Sequence, residues 1–270
     1  MGRTHASVNV AGAPPTSHAA LVVKYGGNAM TDPSARRAVL DDIRTLAAEG
    51  APPVVVHGGG PTIAAQLEAA GIESRFVRGL RVTTPESLVV IERALTMLGK
   101  GLASELGDAV ALTGRDAQVL EAERVEASLG EVGSVRRVRV ALLRALLDAG
   151  FVPVVACIAR EAGAGVLNVN ADDAAAAVAA ALALPCVFLT NVPGVLDDVR
   201  DPASRVAVLR RSDAEARIAD GRIVGGMIPK VEGALAALER GAPAAVIADG
   251  RVAGELRRVA EGTAGTRLLP

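Results

Sequence analysis

The sequence predicts an α/β fold in which mainly parallel strands alternate with crossover helices on both faces of one sheet. Three observations carry that expectation. Short runs rich in Val, Ile and Leu recur between long alanine-rich stretches with helical spacing. Most of those runs end in a polar or glycine-rich segment, the place where α/β sheets hold ligands. Half of the 270 residues are hydrophobic, but only three Phe, one Tyr and no Trp are present, so a large core must be built from Ala, Val and Leu.

Taken in order, the predicted strands are 21–25, 53–57, 109–113, 152–158, 186–190 and 244–248. Helices are predicted over 34–49, 62–70, 85–106, 141–149, 172–182 and 229–240. Residues 73–82 carry polar and apolar residues in near-alternation around Gly79, which reads as a small hairpin over the sheet edge. A second hairpin is expected from 119–126 and 135–140. The longest apolar stretch, 174–189, is mostly alanine and contains Pro185, so it reads as a helix passing into a strand and not as a membrane span. No internal repeat or low-complexity linker appears, and two lobes of one continuous sheet are expected, divided near Leu182–Pro185: 20–183 and 184–270. Residues 1–19 lack the apolar centre of a secretory signal and read as a disordered tail.

Composition removes several classes of function. Lys+Arg total 29 against 30 Asp+Glu, a net charge of −1 that provides no field for holding nucleic acid or an acidic membrane. The scarcity of aromatic rings also leaves little on which unpaired bases would stack. Cys157 and Cys186 lie in apolar runs and read as small buried hydrophobes, which suits a reducing cytoplasm.

Two glycine-rich turns are the candidate binding elements. The first strand runs into Lys24-Tyr25-Gly26-Gly27, a lysine followed by glycines whose backbone can approach a ligand closely. The second ends at His57 and opens through Gly58-Gly59-Gly60-Pro61 into a helix, whose free N–H groups and positive end favour an anion. Either turn alone is as well explained by a tight strand-to-helix connection. The HGGG run also occurs in lipases and esterases as an oxyanion hole, but no Ser is flanked by glycine at −2 and +2, so that reading lacks its nucleophile. The GxxxxGK[ST] nucleotide motif is absent as well.

Lysine usage is the most informative feature, because Lys24, Lys100 and Lys230 are the only lysines in an arginine-rich chain. A compact ammonium on a flexible stem suits a phosphoryl group in flight where space is tight. Lys230 follows Gly225-Gly226-Met227-Ile228-Pro229 and is expected in the first turn of a helix. Lys100 falls inside a long helix and reads as a solvated surface residue. Arg81 suits a bidentate grip on a carboxylate, although a lone surface arginine is more often simply solvated. The run Asn168-Val169-Asn170-Ala171-Asp172 supports helix capping and a functional role equally well. The segment Thr190-Asn191-Val192-Pro193-Gly194-Val195-Leu196 suits an adenine-contacting loop or a plain turn.

Together, VKYGGNAM, HGGGPTI, RGLRVT, NVNAD, LTNVPGV and GGMIPKV resemble the amino acid kinase family from about residue 21 to the carboxyl terminus. Within it they resemble the members that phosphorylate the γ-carboxylate of N-acetyl-L-glutamate. The resemblance implies an open three-layer αβα sandwich, an N-terminal lobe for the acyl amino acid and a C-terminal lobe for ATP with Mg2+. It implies that Lys24 and Lys230 stabilise the transition state and that Asp172 orients both. Gly59, Gly60, Arg81 and Asn168 would hold N-acetyl-L-glutamate, and Gly26, Gly27, Thr190, Val192, Gly194, Val195, Leu196 and Met227 would hold the nucleotide. No protein-held metal site is expected. The nucleophile, a γ-carboxylate, is already anionic at neutral pH, so no general base is needed, and His57 reads as a structural strand-end residue.

Departures from the family pattern bear on assembly. Arginine-inhibited members carry an N-terminal helix that joins dimers, whereas Gly12, Pro14 and Pro15 disfavour one here. The end of the chain also lacks the aromatic-containing stretch of arginine-sensitive members. The expectation is a cytoplasmic, arginine-insensitive homodimer. The alternative readings are a sister kinase acting on a carrier-bound aminoadipate carboxylate and a silent sensor. The RGLRVT segment argues against the first, and the joint presence of Lys24, Asp172 and Lys230 argues against the second.

Overall fold

A computed structural model describes residues 21–163, 165–198 and 200–270, so the expected tail at 1–19 lies outside the described residues. The chain opens with β1 (Val22–Tyr25), a short α1 (Asn28–Thr31), α2 (Pro33–Ala48), β2 (Val54–His57) and α3 (Gly60–Ala69). Next come the hairpin β3 (Phe76–Val77) and β4 (Leu80–Arg81), then α4 (Pro85–Leu106), β5 (Ala109–Thr113), β6 (Leu120–Arg124) and β7 (Val132–Val138). They are followed by α5 (Val140–Asp148), β8 (Val152–Ala156), β9 (Ile158–Glu161), β10 (Val166–Val169), α6 (Ala171–Leu182) and β11 (Cys186–Thr190). The chain closes with β12 (Val208–Arg210), α7 (Arg211–Ala219), α8 (Ile228–Glu239), β13 (Ala245–Asp249), α9 (Glu255–Ala260) and β14 (Thr266–Leu269).

One eight-stranded sheet runs in the order β12-β14-β13-β11-β1-β2-β8-β5, and every ladder except β13–β14 is parallel. Period-two alternation sorts its side chains into two layers. Val22, Val54 and Val56 face the buried residues of α5, α6 and α8, whereas Val23, Tyr25 and Val55 face those of α2, α4 and α9. The result is the expected three-layer αβα sandwich. Five alanines of α6, Ala174–Ala177 and Ala179, are buried, and their small side chains let the helix lie close to the sheet and to α8. Enlarging one of them would cost about 1–3 kcal/mol in strain.

Local chemistry explains where the helices start and stop. Asp32 caps α2 by accepting the Ala35 N–H at 2.8 Å, with Pro33 in the first turn. Thr84 caps α4 through the Ser87 N–H at 3.1 Å, and Gly107, with φ of 85°, ends it. No helix among the described residues is long and apolar enough to cross a membrane.

The sequence does not reveal the second sheet, in which β6, β7, β10 and β9 close on one another as a small barrel. The run 152–158, expected to be one strand, breaks at Cys157: β8 stays in the main sheet while β9 crosses to the barrel. Gly114, at the exit of β5, makes room for that crossing, because a Cβ there would lie 2.4 Å from the Ile158 carbonyl oxygen. The expected hairpin at 119–126 and 135–140 is the β6–β7 pair of this barrel, and β7 begins three residues earlier, at Val132.

Candidate functional site

The cleft gathers at the carboxyl ends of β1, β2, β10 and β11. Lys24, two residues after Val22, projects on the α6 side of the sheet, and its Nζ stands 3.1 Å from Asp172 Oδ1. Asn170 makes that pairing possible by capping α6, with its Oδ1 accepting the N–H of Asp172 at 2.7 Å and of Asp173 at 3.4 Å. The two acids of the first turn then diverge. Asp172 faces the lysine, while Asp173 accepts the Val135 N–H at 2.8 Å and is ion-paired with Arg240.

On one side of the Lys24–Asp172 pair lies a cavity of about 240 Å³, lined by Gly58, Gly59, Gly60, Arg81 and Asn168 together with Gly26 and Gly27. The hairpin delivers Arg81 through a two-residue turn in which Arg78 (φ 49°) and Gly79 (φ 77°) are both left-handed, the requirement of a type I′ connection. The Arg81 guanidinium lies 4.5 Å over the Phe76 ring, donates to Ser74 Oγ and reaches the Gly60 carbonyl at 3.4 Å. Thr83, fully buried, joins two of these residues: its hydroxyl donates to the Arg81 carbonyl at 2.9 Å and accepts from Asn168 Nδ2 at 3.1 Å. Sequence reasoning missed Thr83, although it closes the RGLRVT segment.

On the other side lies a cavity of about 580 Å³, lined by Thr190, Asn191, Pro229, Lys230 and Arg251, with Lys24, Gly26, Gly27 and Asp172 shared between the two. Lys230 stands in the first turn of α8, and its Nζ donates to Asn191 Oδ1 at 3.3 Å. Its hydrogen-bond partner is therefore Asn191, in place of the expected Asp172. Asp249, at the end of β13, holds Arg251 through Nε at 2.9 Å and Nη2 at 2.7 Å. Asn191 lies in a segment that the sequence flags without giving this residue a role, and Arg251 is a residue that the sequence does not single out.

The segment after β11 is drawn towards the start of β14. Val195 is buried in the core and its N–H donates to Thr266 Oγ1 at 2.8 Å, so its side chain is not a cleft residue. Gly194, with φ of 142°, lies so close to Thr266 that a Cβ would stand 2.4 Å from its Oγ1. Leu196 bridges to Arg205, and Val192 returns its N–H to Thr190 Oγ1 at 3.2 Å. Met227 packs against the core beside α8. Thr190 lines the cleft directly, while Thr266 at the start of β14 holds the backbone of Gly194 and Val195. Lys100 is exposed, as read, with its Nζ 3.3 Å from the Ala111 carbonyl oxygen. Both cysteines are free and buried, and burial pushes their thiols well above the usual range, so neither is a nucleophile.

Comparison with known proteins agrees with this geometry. Residues 19–249 match the model of the amino acid kinase family. The acetylglutamate kinase of Deinococcus radiodurans is 53% identical over 93% of this chain and 100% of its own length. An acetylglutamate kinase of Thermus thermophilus is 49% identical over 93% of this chain and 98% of its own. The carbamate kinase of Giardia lamblia bound to AMP-PNP shares the fold with a TM-score of 0.65, at 17% identity, over 94% of this chain and 99% of that one. Family match, relatives and cleft agree: the chain belongs to the amino acid kinase family, and within it to the acetylglutamate kinases.

Proposed function

We propose that the protein transfers the γ-phosphoryl group of ATP to the γ-carboxylate of N-acetyl-L-glutamate, forming the acyl phosphate as the second step of arginine biosynthesis. The observation that carries this reading is the Lys24–Asp172 pair standing between two cavities of different size, with Lys230 on the wall of the larger. The smaller cavity takes the acyl amino acid. There Arg81 and Asn168 grip its polar groups, and the N–H groups at the start of α3 face the reacting carboxylate. The larger takes ATP along Gly26, Gly27, Thr190 and Asn191, with Arg251 at its margin. Residues 20–183 and 184–270 then form the acceptor and nucleotide lobes.

The chemical difficulty is repulsion, since an anionic carboxylate must approach an anionic triphosphate. Lys24 and Lys230 place two ammonium groups where negative charge builds on the transferring group, in a site that needs no proton removed from the nucleophile. Asp172 fixes the Lys24 ammonium in place while leaving two of its N–H bonds for phosphate oxygens. Mg2+ would arrive on the phosphates with water completing its shell. When bound there, Mg2+ would neutralise charge on the β- and γ-phosphate oxygens.

The decisive experiment is ATP- and Mg2+-dependent acyl phosphate formation trapped with hydroxylamine, comparing N-acetyl-L-glutamate, glutamate, aspartate and N-acetyl-aminoadipate. A strong preference for N-acetyl-L-glutamate is expected. No product from any of the four would overturn the assignment. We also read the protein as a cytoplasmic homodimer that arginine does not inhibit. The half-buried β5 edge of the main sheet is compatible with a second copy, and light scattering checks the mass.

A further inference from the structure

We propose that His57 is a positioning residue which aims the acceptor-binding glycines, and that Gly99 of α4 exists to seat its ring; the inference rests on the reading of Gly59 and Gly60 as acceptor ligands. His57 is fully buried at the end of β2, and its Nδ1 lies 3.0 Å from the Gly58 carbonyl oxygen. A carbonyl oxygen only accepts, so Nδ1 carries the proton and Nε2 is bare. That Nε2 is buried without a hydrogen-bond partner among the described residues. It faces Gly99, where a Cβ would lie 2.8 Å from Nε2 and 3.6 Å from Cε1. Any side chain at position 99 would displace the imidazole.

The ring's effect on the turn follows from peptide geometry. Successive carbonyls of the HGGG segment are each claimed by a donor: Cys157 Sγ–H on His57 O at 3.0 Å, His57 Nδ1–H on Gly58 O, and the Ile63 N–H on Gly59 O at 2.8 Å. In a planar trans peptide the C=O and N–H point in opposite directions. Holding the Gly58 carbonyl against the imidazole therefore turns the Gly59 N–H to the far side, where Gly58, Gly59 and Gly60 line the acceptor cavity. The first N–H groups of α3 have no helical acceptor and stay free for a carboxylate. A Cβ on Gly59 would stand 2.9 Å from Leu95 and from Leu98, on the same helix that carries Gly99, so only a glycine lets the turn lie this close to α4.

Four variants and one spectrum test this. His57→Asn keeps a donor near the place of Nδ1 but lacks the ring edge, whereas His57→Leu keeps bulk and has no donor. The KM for N-acetyl-L-glutamate is expected to rise roughly tenfold in His57→Leu and to stay within about threefold of wild type in His57→Asn, with the KM for ATP unchanged in both. Gly99→Ala is expected to raise the acceptor KM in the wild-type background and to have little effect combined with His57→Asn, where the clash is gone. A wild-type acceptor KM in His57→Leu, or an equal Gly99→Ala penalty in both backgrounds, would overturn the proposal. Nitrogen-15 NMR of the wild-type protein reads the tautomer directly: a proton on Nδ1 supports the proposal and a proton on Nε2 sinks it. That reading does not depend on turnover, whereas failure of the functional assignment shows as wild-type protein that leaves N-acetyl-L-glutamate unphosphorylated.

Discussion

Lys24 and Lys230 face the same cleft but are held in opposite ways. Lys24 leaves a central strand, with its side chain 21% exposed and its ammonium already ion-paired with Asp172 at 3.1 Å. Lys230 starts a helix reached through the exposed Gly225 and Gly226, and it is held by one long hydrogen bond to Asn191. One ammonium is preorganised by an ion pair, and the other has a single neutral hydrogen-bond partner. Preorganised charge costs no reorganisation during reaction, so the two lysines should differ in what their loss does.

The comparison breaks or sharpens on four measurements. Lys24→Arg should cost the most, about 10³-fold in kcat, because a planar guanidinium cannot keep the Asp172 geometry beside Gly26 and Gly27. Lys230→Arg should keep ATP binding and lose about 10²-fold in kcat. Equal losses in single-turnover assays would erase the distinction between the two lysines, and full activity in Lys230→Arg would refute the need for a compact charge. On the acceptor side, Arg81→Ala should raise the KM for N-acetyl-L-glutamate roughly 10- to 100-fold and leave the KM for ATP alone, the value of one charged hydrogen-bonding pair.

The smallest effect concerns acid. Burial lowers the His57 pKa from 6.5 to about 4, so the folded state binds its proton later than the unfolded chain does. Stability from this residue is complete above pH 6.5 and is lost as pH falls towards about 4, with about 2 kcal/mol gone by pH 5. Urea melts at pH 7 and pH 5 should show a loss in wild type that His57→Asn lacks. An equal loss in both proteins would place the acid sensitivity elsewhere.

Much of the architecture is legible in the sequence because it rests on local chemistry. The helix at 85–106 is found to the residue, since Thr84 caps its start and Gly107 ends it. Glycines and lysines at strand ends likewise mark Gly26, Gly27, Gly59, Gly60 and Lys24, all of which line the cleft. The barrel of β6, β7, β10 and β9 is not legible, because the break at Cys157 depends on Gly114 admitting a distant strand. Thr83 and Asn168 are 85 residues apart, and nothing in either segment announces their hydrogen bond. The anchor of the loop after β11 is hidden for the same reason, since Thr266 lies 71 residues beyond the Val195 it holds.

The position of β1 has a mechanical consequence. It is hydrogen-bonded to β2 on one flank and to β11 on the other, so it is the seam between the strands before residue 183 and those after it. In any rigid rotation of one half against the other about this seam, displacement grows with distance from the axis. Lys24, one residue from the end of β1, would sit at the fulcrum and barely travel, while Lys230, carried on α8, would sweep the larger arc.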